Sequence, residues 1–253
     1  MRRITGVAVC GARARPRGGY EAYLYELAEE GCPCGARPGD PGCFKDAVRS
    51  LDRPVTDASD YMSGLVRVLL PADAEGIAAL EAARPGAVFE IAGQRDYFRP
   101  GHGIREEIEF EDAAVTPLPG PAPREALRAL EIPISEIRNL PGGIPAVVRG
   151  GAAAPARESG RRAAAAWFLL EFRGRRQAAL PVILFGRHAD ELPALTPGAA
   201  VRVACVRREL IDPLDERLPP GAREALFPGR PPADLPYSIE VLFGGPESAV
   251  MLL

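Results

Sequence analysis

Lysine is almost absent from this chain: Lys45 is the only one, so 30 of the 31 basic side chains are arginine. With 27 prolines and abundant alanine, this bias reads as the imprint of a GC-rich genome, and arginine abundance alone is no evidence of binding. Long apolar runs are missing too. No stretch approaches the ~20 residues that span a bilayer, and Arg2-Arg3 is not followed by an apolar signal core, so a cytoplasmic location is expected. Catalytic signatures are equally scarce. There is no Gly-x4-Gly-Lys phosphate loop and no nucleophile elbow, and the two histidines, His102 and His188, lack motif partners, which points to a non-enzymatic protein.

What the chain does contain is one passage written twice. Leu80-Glu-Ala-Ala-Arg-Pro85-Gly86-Ala87-Val-Phe-Glu-Ile91-Ala92-Gly-Gln-Arg95 aligns without a gap on Leu192-Pro-Ala-Leu-Thr-Pro197-Gly198-Ala199-Ala-Val-Arg-Val203-Ala204-Cys-Val-Arg207, 112 residues later. Each copy follows an apolar run and a short helix-like segment, and each leads to strand-like residues and a late Ile-Glu strand, Ile108-Glu109 and Ile239-Glu240. A length of 253 residues suits two such domains.

The hydrophobic pattern gives each copy three strands, a helix and two strands. In the first these cover residues 4–15, 20–28, 62–70, a helix over 73–83, then 87–98 and 104–117. In the second they cover 144–154, 163–173, 177–185, a helix over 188–195, then 199–210 and 237–243. That order is the signature of the OB-fold, a five-stranded Greek-key barrel. The expected architecture is therefore all-β with short helices: two tandem OB-fold barrels over residues 1–120 and 141–253. The first carries a Cys-containing loop over 31–60, and a linker helix lies within 121–140. The proline-rich interval 213–236 reads as a functional loop between the last two strands of the second barrel.

A family resemblance sits on the second copy. Leu180-Pro-Val-Ile-Leu-Phe185-Gly186-Arg-His-Ala189-Asp-Glu-Leu192, followed by Pro197-Gly198-Ala-Ala-Val201-Arg-Val203, resembles the bacterial single-stranded-DNA-binding protein pattern. The pattern is a third strand ending in Phe-Gly, an Ala with an acidic residue, then Pro-Gly and a Val-x-Val strand. Of that family's stacking residues only Phe185 is matched, and the acidic tail ending in Pro-Phe is absent. Two barrels on one chain resemble replication protein A relatives. The resemblance implies binding of single-stranded DNA in replication, repair or recombination, with other replication or repair proteins as further partners. A protein-interaction and assembly module, or an RNA-binding protein, is the alternative that the same fold allows.

Charge favours the second copy as the site. Residues 1–140 carry 17 basic and 22 acidic side chains, whereas residues 141–208 hold 11 arginines against 4 acids, a balance of +7. A single-strand groove needs aromatic planes for bases and guanidinium groups for phosphates. Alternation along the second strand sets Phe168, Leu170 and Phe172 inward and Trp167 and Arg173 outward. Trp167 and Phe185 are thus the stacking candidates. Arg173, Arg175 and Arg176 form a cluster at a hairpin tip, and Arg149, Arg202 and Arg208 are expected to track the backbone. In the first copy, Glu107, Glu109 and Glu111 on alternate positions predict a face that repels phosphate.

Cys32, Cys34 and Cys43 lie within 12 residues and offer three thiolates, so zinc is a candidate cofactor with Cys10 or His102 as fourth ligand. The alternative is free thiols in a loop. Cys205, on an apolar strand, reads as core.

Overall fold

A computed structural model describes residues 1–27, 54–100, 104–153, 164–173, 176–185, 196–216, 218, 223–224, 227 and 229–253. The chain is mostly β, with short helices, and divides into two compact units, Met1–Glu131 and Ile132–Leu253.

The first unit begins with β1 (Arg2–Ala14) and β2 (Tyr20–Glu26), joined by a tight turn in which Gly18 and Gly19 take positive φ. Helix α1 (Ala58–Gly64) follows, and the Asp57 side chain caps it by accepting from the Asp60 amide. Next come β3 (Leu65–Leu70), α2 (Ile77–Glu81), β4 (Val88–Gly93), β5 (Arg95–Pro100), β6 (Glu106–Phe110), β7 (Ala114–Leu118) and α3 (Pro123–Leu130). The strands pair in the order β5-β6-β3-β2-β1-β4-β7, with β3 and β6 parallel and the remaining neighbours antiparallel. Only Gln94 separates β4 from β5. One bent strand therefore serves both edges, pairing with β1 at one end and β6 at the other. Alternate residues Ala22, Leu24, Val66, Val68, Leu70 and Ile108 meet Ile4, Phe89 and Ile91 in one apolar cluster.

The second unit opens with β8 (Ile132–Pro133) and a 3-10 turn over Ile134–Asn139, whose Ile134 and Ile137 are buried. Its main strands are β9 (Pro145–Ala153), β10 (Ala164–Arg173), β11 (Arg176–Phe185), β12 (Ala200–Ile211) and β13 (Ile239–Gly244), with β14 (Ala249–Leu252) on the edge. Pairings run from β9 to β10, β11, β13 and β12, and from β12 back to β9, again with one parallel pair, β11 with β13. Both units therefore carry the OB order of strands. Ile183, Ile211, Val241 and Phe243 cluster with Leu218, which the proline-rich interval supplies.

The doubled sequence passage has a doubled structure. Gly86 and Gly198 both take positive φ two residues before β4 and β12 respectively. The Gly86 amide donates to the Ala8 carbonyl while the Ala8 amide donates to Ala87, and Gly198 and Ala199 make the same exchange with Ala152.

Several elements differ from the sequence reading. The helix expected over 73–83 shortens to α2 because Gly76, at φ 74, turns the chain immediately before it. The run expected as one strand over 104–117 is two, β6 and β7, and α1 occupies part of the expected strand from residue 62. The boundary falls at Glu131, so α3 belongs to the first unit. The helix expected over 188–195 lies outside the described residues. No described helix is long and apolar enough to cross a membrane.

Candidate nucleic-acid interface

In the second unit, the β10–β11 register runs from Ala164 opposite Phe185 to Arg173 opposite Arg176. Arg175 itself lies outside the described residues. On β9, exposed Arg149 pairs with Arg202 of β12 on one side and Pro133 of β8 on the other, while β9 meets β10 only over residues 151–153. The backbone thus brings Arg173 and Arg176 together at the hairpin end, with Arg149 on another part of the sheet. Trp167 pairs with Val182 in the same register.

The other candidates sit elsewhere. Phe185 is half-buried and stacks on Phe243, with ring centroids 5.3 Å apart and planes at 22°. That packing engages one face of the ring within the apolar cluster. Arg202 is 2% exposed, because β12 lies between β9 and β14 and residues 201–206 are all buried. A guanidinium there does not reach a backbone in solvent. The Arg208 Nε donates to Glu240 and its Nη1 donates to the Leu140 carbonyl at 3.1 Å, so its charge is matched within the unit. Cys205 is fully buried at a bulge of β12, with φ 60, and its carbonyl accepts from the Ser248 hydroxyl at 2.7 Å.

The metal reading rests on Cys32, Cys34, Cys43 and His102, which lie outside the described residues. Cys10 is buried in β1 and disulfide-bonded, so its sulfur is not a thiolate available to zinc. Among the described residues no cluster of three His, Cys, Asp or Glu could hold a metal ion.

The first unit holds the arrangement that the sequence did not reveal. Outward-facing residues of β1, β2, β3 and β6 form a ladder of ion pairs. Arg13 Nη2 donates to Glu21 at 2.6 Å, Arg67 Nη2 donates to Glu21 at 2.7 Å, and Arg67 Nη1 donates to Glu107 at 2.6 Å. Arg15 stands 3.4 Å from Glu109. The acidic row expected to repel phosphate is therefore countered at Glu107 by Arg67 of neighbouring β3 and at Glu109 by Arg15, just beyond β1. Sequence spacing along one strand conceals a partner that sits across the sheet.

Two of these groups titrate away from their usual values. Burial acts to raise the Glu21 carboxyl, but hydrogen bonds and charge from Arg67 and Arg13 outweigh it and hold the carboxyl below its ordinary value. Burial acts to lower the Arg67 guanidinium, and its bonds to Glu21 and Glu107, with Tyr23 beside it, raise it instead. The Arg67 guanidinium also lies 6.0 Å from the centre of the Tyr23 ring. Between this ladder and the β1–β2 turn is a cleft of about 620 Å³, lined by Arg13, Arg15, Arg17, Glu21 and Arg67.

No protein-family model and no curated protein matches the chain. Solved structures similar to it include a murine DNA-binding protein bound to double-stranded DNA, at 10% identity and TM-score 0.42, covering 100% of this chain and 96% of that one. The Ifi202 HINa domain in complex with 20 bp of double-stranded DNA is 11% identical at TM-score 0.39, covering 99% and 95%. A replication protein A heterotrimer bound to single-stranded DNA is 10% identical at TM-score 0.37, covering 99% of this chain and 48% of that one. Likeness at this level assigns neither family nor ligand.

Proposed function

We propose that this protein binds single-stranded DNA and catalyses no reaction, with the β10–β11 hairpin corner of the second unit gripping the phosphate backbone. The observation that carries this reading is the β10–β11 register that sets Arg173 opposite Arg176 at the end of a hairpin in an OB-ordered sheet, within a segment whose balance is +7. Arginines grouped at a barrel corner supply counter-charge for successive phosphates, while an aromatic ring supplies a sequence-tolerant platform for bases. Trp167 is the ring we assign to that role, from the alternation along its strand. Arg202, Arg208 and Phe185 fall out of the contact set, since each is engaged inside the unit.

Fluorescence anisotropy on the full chain tests this reading, with a labelled strand of roughly 30 nucleotides as DNA, as RNA and as DNA duplex. Single-stranded DNA is expected to bind tightest, and affinity to fall steeply between about 50 and 200 mM salt. Trp167→Ala is expected to weaken binding by about 5- to 100-fold, the equivalent of one lost stacked base, with thermal stability retained. RNA preference would reassign the ligand. Absence of salt-sensitive binding to all three probes would overturn the reading in favour of a protein-docking module.

A further inference from the structure

The cleft of the first unit has a composition that the ion-pair ladder alone does not explain. Ladder pairing satisfies the terminal nitrogens of Arg67 through Glu21 and Glu107, Arg13 shares Glu21, whose side chain is 8% exposed, and Arg15 stands against Glu109. Arg67 Nε is buried with no hydrogen-bond partner. Arg17, exposed at the turn, makes no ion pair among the described residues. The cleft of about 620 Å³ is lined by four arginines and one carboxylate, and with Glu107 and Glu109 counted among their partners the arginines still exceed the carboxylates by one, beside a volume large enough for a compact anion. A phosphate carries more charge and more acceptor oxygens than a carboxylate, and arginine binds it in bidentate fashion.

We propose that the cleft between the β1–β2 turn and β3 is a phosphate-binding site, in which Glu21 holds Arg13 and Arg67 in place until a phosphate engages them together with Arg15 and Arg17. The carboxylate keeps the fork of Arg67 ordered when the cleft is empty, so binding does not begin from a disordered arginine. Its negative charge also opposes the incoming anion. Glu21 thus sets a threshold: weak single anions are refused, and an anion bridging several guanidinium groups is accepted. The phosphate can belong to a nucleic-acid strand or to a free polyphosphate, and the chemistry recognised is the same. The site does not depend on the second unit's hairpin, so the two readings fail separately.

Isothermal titration of the full chain with tripolyphosphate at about 50 mM salt, paired with anisotropy on the roughly 30-nucleotide DNA strand, tests the site. Glu21→Gln, which keeps the shape and removes the opposing charge, is expected to tighten the bound anion about tenfold. Arg17→Ala, at an exposed turn position where folding is not at risk, is expected to weaken it roughly fivefold. A response of the DNA strand to both variants assigns the phosphates to a nucleic-acid backbone. A response of tripolyphosphate alone assigns a free phosphate. In the combined variant Arg173→Ala, Arg175→Ala, Arg176→Ala the effects of Glu21→Gln and Arg17→Ala on tripolyphosphate are expected to persist, which separates this site from the hairpin corner. Failure of tripolyphosphate and of the DNA strand to respond to Glu21→Gln and Arg17→Ala would overturn the proposal.

Discussion

Glu21 shows how a single residue ties charge to fold. Its carboxyl is buried, yet Arg67 and Arg13 hold it below its ordinary value of 4.5. A depressed folded-state value means stabilisation that is present above the unfolded value and lost as pH falls through the folded one. The expected outcome is a first unit that loses stability below about pH 4.5, and an E21Q variant less stable at pH 7 but with a flatter acid limb. Urea midpoints measured from about pH 7 to pH 3 check this, and parallel curves for the two proteins would refute it. The same scale explains why individual site residues were only partly legible. Alternation sorts side chains when one face of a strand is wet. Residues 201–206 of β12 are buried on both faces, so Arg202 could not be assigned outward by counting. Phe185 matched a family position, but its stacking on Phe243 arises between distant strands and leaves no trace in spacing. Arg13, Arg15, Arg17 and Arg67 escaped notice because the first 140 residues are net acidic, and local charge is set by the sheet rather than by the segment.

At the scale of elements, the sequence carried most of the fold. The strand order followed from apolar alternation and from Pro-Gly stops, and the 112-residue offset pointed to equivalent turns that the structure places before β4 and β12. What it did not carry were the interruptions. Gln94 splits a strand whose two halves pair with different neighbours, and Gly76 shortens a helix, since both effects come from tertiary pairing. The two Pro-Gly turns also predict unequal tolerance. Both glycines hold positive φ, which costs an L-residue about 1 kcal/mol or more. A Cβ on Gly86 would also stand 2.6 Å from the Pro123 carbonyl oxygen, whereas a Cβ on Gly198 meets nothing within 4 Å. Gly198→Ala is therefore expected to cost about 1 kcal/mol, and Gly86→Ala at least about 2 to 3 kcal/mol, because the α3 backbone must shift to admit it. Thermal unfolding of the two variants checks the order, and equal losses would mean that the Pro123 segment yields freely.

For the molecule as a whole, net charge is a poor guide to its partner. The chain is −3 overall, yet its positive charge is concentrated: the second unit sets Arg173 opposite Arg176 at a hairpin end, and the first lines a cleft with four arginines. Phosphate binding responds to the counterions released at the contacts, so the salt dependence counts local arginines and is blind to distant carboxylates. Each arginine contacting a single strand contributes about 0.7 to the log–log slope of affinity against salt. Replacing Arg173, Arg175 and Arg176 together by alanine is then expected to reduce the slope for single-stranded DNA by about 2, while the net charge changes from −3 to about −6. General repulsion from the added net charge would shift affinity by a modest, salt-screened amount and leave most of the slope in place. Anisotropy titrations at four or so salt concentrations between about 50 and 200 mM separate the two cases. A slope that falls by about 2 locates the strand on the hairpin corner, and an unchanged slope moves it away.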